Sequence, residues 1–110
     1  MPNQIPKRFV SQRKIMDVDV NTLWDLITRP GHLEDVHPYC SSNEVIKWSD
    51  KASTDVLVYS NGRTFVRNFE PWNLQKGYEL WIGPENGAQH FVRWEIESID
   101  NRSSLSITIH

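Results

Sequence analysis

The sequence predicts an α+β fold in which a first strand and a short helical segment lead into a long antiparallel meander. Three observations carry this. Val20, Leu23, Trp24 and Ile27 recur at i, i+3, i+4 and i+7, the spacing of one apolar helix stripe. After Tyr39 the apolar residues change to a period of two and keep it to the end of the chain. Asn61-Gly62 stands between two such alternating runs, and both residue types accept the positive φ of a two-residue hairpin turn.

Taken in order, residues 9–16 read as a first strand entered after Pro6. Asp19 or Asn21 can accept the free N–H groups at the start of the helix, and Pro30-Gly31 ends it. Residues 32–36 make one further helical turn with Leu33 and Val36 on its buried side, stopped by His37-Pro38. Six strands follow, at 44–49, 55–60, 63–72, 78–82, 88–100 and 104–109. The resulting order is β-α-α-β6, with two N-terminal helices ahead of the sheet. Face assignment is clearest near the end. His90, Val92, Trp94 and Ile96 share one face of their strand, and Gln89, Arg93, Glu95 and Glu97 the other, with Phe91 the exception. Leu105, Ile107 and Ile109 alternate with Ser104, Ser106 and Thr108, and Tyr78, Leu80 and Ile82 with Glu79 and Trp81. The sheet therefore has one apolar and one wetted face.

A chain of 110 residues has room for a single domain, here spanning 1–110. Twelve basic against fourteen acidic residues give a net charge of −2, and no basic stripe marks a nucleic-acid partner. No apolar run approaches the ~20 residues of a membrane span, and the opening MPNQIPKRFV has no apolar core of a secretory signal. The one cysteine, Cys40, has no internal partner, so the expected location is the reducing cytoplasm.

Chemistry-bearing residues are few. His32, Asp35, His37 and Cys40 are metal-ligand types, but their spacing converges poorly and they read as solvated helix and turn residues, so no metal is expected. His90, in phase with Trp94, reads as an inward histidine at the sheet end; with Tyr78 it is the candidate acid–base pair. Arg63, Phe65, Arg67 and Phe69 share a face, and the arginines read as snorkelling outward over the rings. The alternative, if that face is concave, is contact with an acidic head group. Of the five tryptophans, Trp24 belongs to the helix core, Trp48, Trp72 and Trp81 read as covering sheet edges, and Trp94 lies where a cavity wall would be. There is no glycine-rich phosphate loop, nucleophile elbow or Cys-x-x-Cys pair, and no cofactor is implied.

Residues 16–38, with LWDLITRPGHLEDVHPY after an Asp-containing entry, the hairpin at Asn61-Gly62-Arg63, the strand around Val92-Arg93-Trp94-Glu95-Ile96 and the closing strand 104–109 together carry a likeness. The chain resembles the START-like, or Bet v 1-like (SRPBCC), superfamily, which includes polyketide cyclase/dehydrase and lipid-transport proteins. The resemblance implies a helix-grip-like curved sheet that encloses a small hydrophobic or amphipathic ligand, lipid-like or polyketide-like. Trp94, Val92, Tyr78, Leu80, Ile96 and His90 are the expected contacts. Alternatives within the superfamily are a cyclase or dehydratase using His90 and Tyr78, and a non-catalytic interaction domain of co-chaperone type. Such folds end in a long C-terminal helix that closes the cavity; this sequence reaches His110 with no such pattern, so it reads as C-terminally incomplete relative to the family. The expectation is that the uncovered face self-associates into a homo-oligomer, holds a ligand, or leaves the chain unstable.

Overall fold

The computed structural model describes Ile5, residues 7–36 and residues 39–110, the side chains of Asp35 and Val36 excepted. Its elements are β1 (Val10–Met16), α1 (Val20–Ile27), α2 (Leu33–Val36), β2 (Cys40–Lys47), β3 (Ser53–Tyr59), β4 (Thr64–Phe69), β5 (Gly77–Gly83), β6 (His90–Ile99) and β7 (Arg102–Ile109). All seven strands form one antiparallel sheet in the order β1-β7-β6-β5-β4-β3-β2. Strands β2 to β7 are consecutive neighbours, and β1 pairs with the last strand, so the expected β-α-α-β6 order holds. Among the described residues no helix is long and apolar enough to cross a membrane.

The Asp19 carboxylate starts α1 by accepting the Thr22 N–H at 2.7 Å. The Thr28 N–H closes the helix on the Trp24 carbonyl at 3.0 Å. Leu23, Trp24 and Ile27 are its buried side, as the stripe requires. They lie on the concave face of the sheet with Leu33, Leu57, Leu80, Trp94 and Ile96.

Most strand ends differ from expectation by one or two residues, and two differ by more. β2 begins at Cys40 rather than residue 44, because its backbone pairs with β3 through two register shifts that leave no clean alternation to read. β4 ends at Phe69 rather than 72: Pro71 has no N–H for the ladder. The Trp72 N–H turns away to the Asp50 carbonyl at 2.8 Å.

The β3–β4 turn holds three residues, Ser60-Asn61-Gly62, and not the expected two: the Tyr59 N–H donates to the Arg63 carbonyl, Gly62 has φ 86° while Asn61 does not enter positive φ, and the register moves by one residue. Partners run from Val58 opposite Thr64 to Ser53 opposite Phe69, which places Asp55 opposite Arg67. At the start of β5, Gly77 has φ 150°, and a Cβ there would stand 2.0 Å from the Trp94 carbonyl oxygen. Only glycine lets β5 approach β6 this closely.

Trp48 and Trp72 do not cover sheet edges. Trp72 meets Trp24 edge-on at 5.8 Å and Trp48 at 5.6 Å, while Trp48 packs on Phe69 at 5.3 Å. The Trp48 indole N–H donates to the Thr28 carbonyl at 2.8 Å. Tyr78 joins from β5, 5.1 Å from Phe69 and stacked on Trp94 at 5.4 Å. These rings fill one end of the concave face beneath α1. Trp81 lies on the opposite face against Phe91 at 5.0 Å, which explains the apolar residue that interrupts the wetted side of β6.

Candidate functional site

Beyond the aromatic cluster the concave face is open, and it forms a cleft of about 1220 Å³. Leu23, Leu26 and Ile27 of α1 wall one side. The sheet supplies Leu57, Leu80, Val92 and Trp94 toward the middle, and Ile107 and Ile109 toward β1. The cleft reaches solvent where β3, β5 and β7 end and β1, β4 and β6 begin. Val10 is 68% and Ile109 49% exposed at that rim, so apolar surface stands in water there.

Four of the six expected contact residues line this cleft: Leu80, Val92, Trp94 and His90. Tyr78 and Ile96 share the face but are buried outside the cleft. His90 is in the expected phase, yet its side chain is exposed, because the first residue of β6 stands at the open end with nothing packed over it. The structure does not bring His90 and Tyr78 together. His90 is opposite Ile82, whereas Tyr78 is opposite Trp94, four residues further along β6, roughly 13 Å. The Tyr78 hydroxyl points away from the cleft and donates to the Ile27 carbonyl at 2.8 Å.

The histidine that meets Tyr78 is His32. It is fully buried and not a solvated turn residue, because the turn after α1 packs back onto the aromatic cluster. Its Nδ1–H donates to the Arg29 carbonyl at 3.0 Å, and Nε2 lies 3.3 Å from the Tyr78 hydroxyl. Of the other metal-ligand types, the Asp35 side chain and His37 lie outside the described residues. Cys40 is half-buried at the start of β2.

Arg67 likewise departs from the outward snorkelling expected of it. It is 2% exposed and forms a two-point ion pair with Asp55, Nε to Oδ1 at 2.8 Å and Nη2 to Oδ2 at 2.5 Å. Its guanidinium stands 4.7 Å over the Phe69 ring. Asn43 donates to the same Asp55 carboxylate at 2.9 Å and accepts the Leu33 N–H at 3.3 Å, which ties α2 to the sheet. A two-residue turn at Asn61-Gly62 would have placed Asp55 opposite Asn68; the three-residue turn places it opposite Arg67, so the hairpin signal did not reveal this pair.

Burial, reinforced by the Arg67 charge, lowers the His32 imidazole from 6.5 to about 4. The unfolded chain therefore takes up a proton near pH 6.5 that the folded chain refuses until about pH 4. Stability is complete above pH 6.5 and falls as pH drops through that window, by on the order of 3 kcal/mol. Urea unfolding at pH 7.5 and at pH 4.5 should show this loss, and His32→Gln should flatten it. An equally steep decline in the variant would assign the loss to other groups.

Burial also pushes the Tyr78 phenol up, so it is a neutral donor throughout this range. The arrangement is thus a buried polar network that holds helices to sheet, beside an apolar cleft that the network's hydroxyl does not enter.

No protein-family model matches the sequence, and no curated protein resembles it in sequence. Solved structures do share its fold. The Zhui aromatase/cyclase from Streptomyces sp. R1128 superposes with a TM-score of 0.80 at 12% identity, over 93% of this chain and 66% of that one. Ara h 8.0201 gives 0.69 at 12% identity, over 93% and 74%. The di-domain ARO/CYC BexL from the BE-7585A biosynthetic pathway gives 0.69 at 13% identity, over 93% and 35%. The chain therefore has the helix-grip, Bet v 1-like fold, and it spans about two thirds to three quarters of the first two structures.

Proposed function

We propose that this chain binds a small hydrophobic or amphipathic molecule, lipid-like or polyketide-like, in the cleft between the sheet and α1. The observation that carries the proposal is the cleft itself, about 1220 Å³ walled mainly by aliphatic side chains and Trp94. Ligand sites are typically concave, mostly apolar hollows of roughly 300–1,000 Å³. At about 25 cal/mol per Å² of apolar surface removed from water, an apolar occupant stabilises both itself and the exposed rim. Leu80, Val92 and Trp94 are the proposed contacts, with His90 at the mouth. The aromatase/cyclase neighbours support the polyketide-like alternative, although a shared fold alone does not transfer an activity.

A cyclase or dehydratase reading has less behind it. The pair it needs, His90 and Tyr78, is separated along β6, and the Tyr78 hydroxyl is already bonded to Ile27. Self-association through the uncovered part of the sheet is the other way to shield the same surface.

Native mass spectrometry of the purified protein separates these readings. The expected result is a monomer that retains an apolar molecule, or one that takes up added dodecanol and changes its tryptophan fluorescence. An empty protein that takes up no dodecanol would overturn the proposal, and a dimer with that behaviour would favour self-association.

A further inference from the structure

The charge in the cleft is of one sign. Of the chain's twelve Lys and Arg residues, four line it, namely Arg13, Lys14, Arg63 and Arg67. None of the described Asp and Glu residues does, although acids outnumber bases in the chain as a whole at fourteen to twelve. A basic lining in a net acidic chain is not a by-product of composition.

The four are not equivalent. Arg67 is neutralised by Asp55 behind it. Among the described residues the other side-chain ion pair is Arg93 with Glu79, so Arg13, Lys14 and Arg63 carry uncompensated charge. Arg63 stands just before β4, at the end of the sheet where the cleft meets solvent. The Asn61-Gly62 turn fixes its backbone: its N–H donates to the Asn61 side chain at 3.0 Å, and its carbonyl accepts the Tyr59 N–H at 2.8 Å. Lys14 is on the inward phase of β1, four residues along from the rim residue Val10 and level with Leu105 and Ile96, so it stands along the β1 wall and Arg63 is the cation at the mouth. Walls of low dielectric focus such a field on the mouth.

We infer that the ligand is an anionic amphiphile, its apolar body lying on Ile82, Val92 and Trp94 and its carboxylate, sulfate or phosphate group at the mouth, toward Arg63. This rests on the reading of the cleft as a binding site and narrows its ligand class. The acid group stays partly hydrated at the rim, so Arg63 chooses among apolar molecules more than it adds affinity.

The test titrates the full chain with three probes of one tail length, dodecanoate, dodecanol and dodecyltrimethylammonium, below their micelle concentrations and at neutral pH. Calorimetry should show dodecanoate binding about tenfold more tightly than dodecanol, and the ammonium most weakly. The preference should shrink as salt is added. Arg63→Gln should reduce the dodecanoate-to-dodecanol ratio, and Arg63→Glu should move the preference toward the ammonium. Equal binding of dodecanoate and dodecanol, or a ratio untouched by these variants, would overturn this inference while leaving the binding cleft standing. Binding of none of the three would overturn both.

Discussion

Asp55→Ala should destabilise the protein by about 3–5 kcal/mol, because it leaves the Arg67 guanidinium buried without its counter-charge. Asp55 is fully buried and Arg67 2% exposed, so water cannot replace the lost carboxylate without opening the sheet. Asn43 loses its 2.9 Å acceptor in the same step and retains only the Val56 carbonyl at 3.3 Å. A domain's whole stability is about 5–15 kcal/mol, so the variant should unfold at a much lower urea concentration. The double change Asp55→Leu with Arg67→Met removes both charges together and should recover most of the loss. If the single variant kept the parent midpoint, the pair would have to be solvated, contrary to the burial observed.

Trp24→Ala should cost a similar amount, about 3–5 kcal/mol. The indole is 8% exposed and stands edge-on to Trp72 at 5.8 Å and 6.5 Å from Tyr78. Removing it takes the central ring out of a cluster drawn from α1, β4, β5 and the segments that follow β2 and β4, and a short helix has no other large side chain to refill the space. The same variant should loosen the Tyr78–Ile27 hydrogen bond, since that bond depends on α1 lying against β5. Urea unfolding with an unchanged midpoint would contradict the placement of α1.

These two variants probe what was legible in the sequence to different degrees. The Trp24 stripe is a local pattern of period 3.6, and a helix that short is stable only with its apolar side packed, so its burial follows from spacing alone. The alternation of Tyr78, Leu80 and Ile82 and of Val92, Trp94 and Ile96 likewise identified the concave face, because a strand has only two faces. The Asp55–Arg67 pair was not legible: a two-residue Asn61-Gly62 turn pairs Asp55 with Asn68, and the extra turn residue that brings Arg67 opposite has no local signature. Nor was His32. Nothing in its neighbours distinguishes a solvated turn from one folded back onto Trp48, Trp94 and Tyr78, residues sixteen or more positions away.

The sequence by itself determined the element order, the position of the β3–β4 hairpin, and which face of each late strand is apolar. Each follows from spacings within a few residues, where backbone geometry leaves little choice. The tertiary structure alone decided which part of that apolar face is filled and which is open. Trp24, Trp48 and Trp72 come from separate segments and converge beneath α1, closing Tyr78 and Ile96 away, while Leu80, Val92 and Trp94 face the cleft and His90 stands at its mouth. Cover is a property of the distant segments that meet over a side chain, and no period within a strand encodes it.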